Sequence, residues 1–142
     1  MFVKQLSVFI ENREGRLKEV LQALKNNGVN IVSMSLADTS EYGLLRLLVT
    51  NPVAGKEALK AEGFSAMLTD VLAIKLSHQV GKLQELLVAI CDENINIEYM
   101  YALSTGKDDA SIVLKASDLE KAAKALEAKG VEIVTSAEIE AM

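Results

Sequence analysis

The sequence predicts an α+β protein made of two βαββαβ units in tandem, and three observations carry that reading. The chain repeats itself, each copy runs through strand and helix periods in the same order, and no linker separates the copies. The repeat register is set by Gly15 and Gly81. Leu6, Leu17, Glu19, Leu21, Ala23, Asn30, Ile31 and Met34 recur as Leu72, Leu83, Glu85, Leu87, Ala89, Asn96, Ile97 and Met100. Arg16, Val20 and Leu24 recur conservatively as Lys82, Leu86 and Ile90. The two domains expected are residues 1–70 and 71–142.

Each element follows from a local signal. Residues 5–10 alternate, with Leu6, Val8 and Ile10 on one face and Ser7 and Phe9 on the other, the period of a strand with one core face. Leu72, Ile74 and Leu76 repeat it. After Gly15 the period changes to that of a helix: Leu17, Val20, Leu21 and Leu24 form one apolar stripe, and Leu83, Leu86, Leu87 and Ile90 form its counterpart. The first helix ends at Asn27-Gly28, where glycine supplies the left-handed residue past a C-terminus, and the second copy uses Glu93-Asn94 there. A strand over about 30–37, turn chemistry from Asp38 to Gly43 and an apolar strand Leu44 to Val49 predict a hairpin. Asn51-Pro52 reads as an N-cap with proline in the first turn, and Ser117 with Glu120 reads as the matching capping box. The helix after that cap carries Leu119, Ala123 and Leu126, and Val131 to Ala137 is the expected fourth strand of the second copy. In the first copy Phe64 to Asp70 plays that part and runs directly into Val71, so the units are expected to pack as one rigid body.

A βαββαβ unit folds as a four-stranded antiparallel sheet with both helices on one face, the ferredoxin-like arrangement, and the two sheets are expected to join side by side. Leu44 to Val49 is apolar on both faces, so something must cover the side away from the helices. A second sheet in an oligomer is the expected cover, hence at least a homodimer.

Composition narrows the function. Fifteen basic against twenty acidic residues give a net charge of −5, which excludes a phosphate-binding footprint and with it nucleic acid. Cys91 and His78 are single, so neither a disulfide nor a zinc spacing exists. No secretory or membrane-spanning apolar run is present, and a cytoplasmic location is expected. Catalytic constellations fail in turn. Cys91 falls in an apolar helix and reads as a buried structural thiol; Gly55-Lys56 lacks the rest of a phosphate loop; Asp108-Asp109 reads as a solvated turn. No enzyme, metal or cofactor is expected.

The recurring chemistry is the turn between the first strand and first helix, Asn12-Arg13-Glu14-Gly15-Arg16-Leu17 and His78-Gln79-Val80-Gly81-Lys82-Leu83. Glycine lets the backbone turn sharply and leaves the first helical N–H groups uncovered at the positive end of the helix dipole. A carboxylate fits there. Asn30 and Asn96, expected beside that turn at the start of the second strand, can donate and accept. A purely structural tight turn accounts for the same spacing.

These residues, with Asn-Gly-Val-Asn30-Ile31 after the helix, resemble the signature of ACT domains, the amino-acid-sensing regulatory modules of amino-acid metabolism, over nearly the whole chain. The resemblance implies units that associate through their second strands and hold an amino acid between partners. It implies contacts from Asn12, Gly15 and Asn30 in the first copy and His78, Gly81 and Asn96 in the second. The ligand carboxylate would meet the backbone of Gly15-Arg16-Leu17 or Gly81-Lys82-Leu83, and the Asn12 turn of one copy would face the asparagine-bearing strand of the other. Leu17, Ile31, Leu83 and Ile97 flank the polar positions and suggest an apolar wall, whereas His78 and Glu14 suggest a polar or basic side chain, so the sequence leaves the amino acid open. Glu14 and Val80 stand where many members have proline, and His78 where they have asparagine. The expected function is a stand-alone regulator that binds a free L-amino acid at the interface of its two units and acts on a partner enzyme of amino-acid metabolism. The alternative is a structural small subunit with degenerate pockets.

Overall fold

A computed structural model describes residues 2–39, 41–77, 79–104 and 110–142. Its elements are β1 (Val3–Glu11), α1 (Arg16–Asn26), β2 (Ile31–Asp38), β3 (Tyr42–Val49), α2 (Pro52–Ala61), β4 (Ser65–Leu76), α3 (Lys82–Cys91), β5 (Ile97–Ser104), β6 (Ala110–Ala116), α4 (Leu119–Ala128) and α5 (Ser136–Glu140). The chain divides into two compact units, Lys4–Thr69 with Ala137–Met142, and Phe2 and Val3 with Asp70–Ser136.

In the first unit the strands run in the order β2-β3-β1-β4, antiparallel, with Leu6 opposite Leu47 and Val8 opposite Leu45. Alternation sends Leu6, Val8, Ile10, Leu45, Leu47 and Val49 to one face, where Val20 and Leu24 of α1 and Leu59 of α2 pack on them. Full burial of one such leucine contributes about 1.5–3 kcal/mol, so this alternation alone dictates register. The second unit repeats the plan with β4-β6-β5: Leu72 lies opposite Leu114 and Ile74 opposite Ile112, under Leu86 and Ile90 of α3 and Ala122, Ala123 and Leu126 of α4. Phe2 packs against this second core.

Several expectations need correction. The last strand of the first copy and the first of the second are one strand, β4, of 12 residues. The fourth strand expected over Val131 to Ala137 shrinks to a bridge between Ile133 and Ile74, flanked by Lys75 N–H donating to the Glu132 carbonyl at 2.9 Å and Val134 N–H to the Ala73 carbonyl at 2.8 Å. The chain then turns into α5, whose helix-favouring Ala137, Glu138 and Glu140 surround the buried Ile139. Ser117 is not the cap of α4. Asp118 is, its carboxylate accepting from Lys121 N–H at 3.0 Å, while the Ser117 hydroxyl accepts from the Asn96 amide. Cys91 is exposed, because the buried stripe of α3 runs through Leu86 and Ile90 and the next residue turns about 100° away.

The face away from the helices is covered in part. Leu48 and Gln5 are 0% exposed, and Ser7 is buried, already within a single chain. The Gln5 amide donates to Ser7 Oγ at 3.0 Å, and Ser7 meets the Thr69 hydroxyl at 3.4 Å. Phe9, on the same face, is 50% exposed, so that face is closed at Leu48, Gln5 and Ser7 and open at Phe9.

Candidate functional site

The two turns singled out by the repeat have the same construction. Gly15 and Gly81 cap α1 and α3 with φ of 82° and 80°, and a Cβ at either would meet nothing within 4 Å. Glycine is required by backbone conformation and not by space; another residue there would cost about 1–2 kcal/mol. Arg16 N–H turns back to the Arg13 carbonyl and Lys82 N–H to that of Gln79, and the next intrahelical bonds run from Glu19 to Gly15 and from Glu85 to Gly81, each 3.0 Å. The amides of Leu17 and Lys18, like those of Leu83 and Gln84, fall in the first turn, where no intrahelical acceptor exists. The helix dipole adds to them, so both turns suit an anion.

The first turn has a neighbour that the sequence did not reveal. Asn12 N–H donates to the Glu41 carbonyl at 3.0 Å, and its side-chain amide reaches the Thr39 carbonyl at 3.4 Å. The β2–β3 hairpin turn thus stands beside the β1–α1 turn. Turn chemistry between Asp38 and Gly43 was legible; its proximity to Asn12 was not, since the two are joined only through the sheet.

The arginines of the turn are occupied. Arg13 Nε lies 2.8 Å from Glu11 Oε2. Arg16 Nη1 lies 2.6 Å from Glu19 Oε2, and its guanidinium sits 4.4 Å above the centre of the Phe64 ring, leaving its Nε buried without a hydrogen bond among the described residues. Lys82 approaches Glu85 more loosely, at 3.6 Å.

Asn12, Glu14, Gly15, Arg16 and Leu17 gather at one end of α1, but Asn30 and Ile31 follow its other end. A helix of 11 residues is about 16 Å long, so the asparagine does not stand beside the turn of its own copy as expected. Val80, Gly81, Lys82 and Leu83 are parted from Asn96 and Ile97 by α3 in the same way. Gly15 lines an open groove with Lys18, Glu62 and Phe64, whereas Asn30 and Ile31 line another with Leu21 and Lys25. Leu17, Ile31 and Ile97 rest half-buried on their cores, while Leu83 and Val80 are exposed. His78 lies outside the described residues, as do Asp108 and Asp109. Each second strand is an edge: β2 is laddered to β3 and β5 to β6, and the expected pairing of β2 with β5 does not occur in this strand order. Among the described residues no group of His, Cys, Asp or Glu is arranged to hold a metal, and no helix is long and apolar enough to cross a membrane.

A duplicated ferredoxin-like unit with a glycine turn at each first helix and open second strands is the architecture of a paired regulatory domain. The chain belongs to the ACT domain pair family, whose model matches residues 1–142. It is similar to the crystal structure of protein BT0572 from Bacteroides thetaiotaomicron, with 32% identity, a TM-score of 0.93 and coverage of 100% of this chain and 98% of that one. The regulatory subunits of aspartate kinase from Thermus thermophilus, in ligand-free form, and from Thermus flavus share the fold at 20% identity, with TM-scores of 0.64 and 0.61, over 88% of this chain and 90% of theirs. No curated protein matches.

Proposed function

We propose that this chain is a regulatory protein that binds a free L-amino acid and transmits its occupancy to a partner enzyme of amino-acid metabolism. The observation that carries the reading is the separation of each copy's polar groups by the length of its first helix, combined with an open second strand. Antiparallel pairing of β2 with the same edge of a second copy of the chain would bring the Asn12–Gly15 turn of one molecule to Asn30 of the other. Met34 and Leu36, 41% and 49% exposed along that edge, would be dried by the pairing. β5 offers Asn96 to the Gly81 turn in the same manner. In each pocket the ligand carboxylate would take the helix-start amides, and the asparagine the remaining polar contacts.

Calorimetric titration against the twenty L-amino acids tests the reading. At least one is expected to bind at or below millimolar concentration, and Asn30→Ala or Asn96→Ala should cost about 1.5–3 kcal/mol of that affinity. Absence of binding by every amino acid at millimolar concentration overturns it. Light scattering is expected to give twice the 15.4 kDa chain mass, and a monomer that still binds would remove the shared pocket.

A further inference from the structure

We infer that two molecules of this chain join through the β5–α3 edge of the second repeat, and not through the β2–α1 edge of the first. The inference assigns to one edge the pairing used in the reading above, and so rests on it. A difference between the two first helices carries it. Residues four apart share one side of a helix, so Leu17, Leu21 and Lys25 form one side of α1, and Leu83, Leu87 and Cys91 the matching side of α3. In the first repeat that side is next to the open strand, because Leu21 and Lys25 line a groove with Asn30 and Ile31 at the start of β2. In the second, Glu85 and Val88 share a groove with Lys129 at the end of α4, which leaves the Leu83–Cys91 side on the flank towards β5. Leu83 and Cys91 are exposed and Leu87 is half-buried, so this stripe is apolar and bears no charge.

A two-fold pairing sets the same surface of both molecules together. Antiparallel β5 strands bring the two α3 helices side by side and antiparallel, with Leu87 near the axis and Cys91 of one molecule over Leu83 of the other. The same operation on the first repeat sets Lys25 of one molecule against Lys18 of the other, at both ends of the contact, and both lysines are exposed. Like charges oppose that association, whereas burying an apolar stripe favours it. The helix ends agree. Asp92 and Glu93 follow α3, whose last turn has no basic residue, so an acidic C-terminal end meets the positive N-terminal end of the other α3, where Lys82 stands. In α1 the last turn brings Lys25 to that place. Asn96 of one molecule then comes to the Gly81 turn of the other, and the second repeat's pocket is the shared one.

Light scattering at micromolar concentration tests the assignment, with thermal unfolding confirming that each variant folds. Cys91→Lys gives α3 the residue that α1 carries at the matching position, and Met34→Lys puts a lysine on the β2 edge. The unaltered chain is expected at twice the 15.4 kDa chain mass, Cys91→Lys at the chain mass itself, and Met34→Lys at twice that mass still. Cys91 is the only thiol of the chain, so its modification by a maleimide gives a second reading without any substitution and should slow as concentration rises through the association range. A monomeric unaltered chain, a dimeric Cys91→Lys, a mass lowered by Met34→Lys, or labelling indifferent to concentration overturns the inference. Calorimetry reads amino-acid binding separately in each case, and a β5-joined dimer that binds no amino acid overturns the regulatory reading alone.

Discussion

The Asn30 amide donates to the Thr50 hydroxyl at 3.1 Å, and the Thr50 amide returns a hydrogen bond to the Asn30 carbonyl at 3.0 Å. Asn96 and Ser117 form the same reciprocal pair, at 3.0 and 2.8 Å. The backbone that leads into each second strand is thus tied to the residue before the N-cap of the second helix of its copy, and both asparagines remain exposed. Thr50→Val and Ser117→Ala are expected to lower stability by about 1 kcal/mol each in urea denaturation, and Thr50→Ser to be nearly neutral. Unchanged midpoints for the first two would mean that water replaces the hydroxyl without loss.

The helix caps make a second prediction. Asn51 accepts from Ala54 N–H at 3.1 Å and Asp118 from Lys121 N–H at 3.0 Å, so alanine at either should cost about 1 kcal/mol. Glu120→Ala should stay within about 0.5 kcal/mol. An equal loss from Glu120→Ala and Asp118→Ala would restore the capping box read from Ser117.

Gly55 sits inside α2, where helix propensity favours alanine by about 1 kcal/mol. Its Cβ would lie 3.1 Å from Leu6 Cδ2 and 3.4 Å from Leu24 Cδ2, and both leucines are fully buried, so neither can swing into solvent. Overpacking costs about 1–3 kcal/mol and should win: Gly55→Ala is expected to destabilise, and Gly55→Val more so. A stabilised Gly55→Ala would show that the core there yields.

Ile139 is 2% exposed and belongs to the unit made mainly of Lys4–Thr69. Ending the chain after Thr135 should remove about 1.5–3 kcal/mol of burial from that unit. Hydrogen exchange would register the loss in β1, β3 and α1. A loss confined to β5, β6 and α4 would contradict the assignment.

Much of the fold was legible because its signals are local. The alternation of Leu6, Val8 and Ile10, the stripe from Leu17 to Leu24, and Asn51 before Pro52 each report on their own few residues. What failed depended on distant partners or on counting. Asn51 matches Asp118 at an offset of 67, one more than the 66 between Gly15 and Gly81, so the extra residue of the second copy moved the cap off Ser117. Val131, Ile133 and Val134 look like a strand, but only Ile133 finds a bridging partner before α5 begins. At the site, Gly15 and Gly81 were recognisable from spacing, whereas the place of Asn30 required the length of α1, and the approach of Glu41 to Asn12 required the sheet.

The shared strand β4 changes what the duplication means for modularity. A chimera that exchanged one repeat for that of another sensor could not be joined between residues 70 and 71, since the junction would fall within a continuous run of ladder residues. The graft would also carry the wrong tails, because Phe2 travels with the first repeat in sequence yet packs on the second core, and Ala137–Met142 travel with the second repeat yet belong to the first unit. Because one strand and both termini are shared in this way, an exchange would have to replace the pair as a whole.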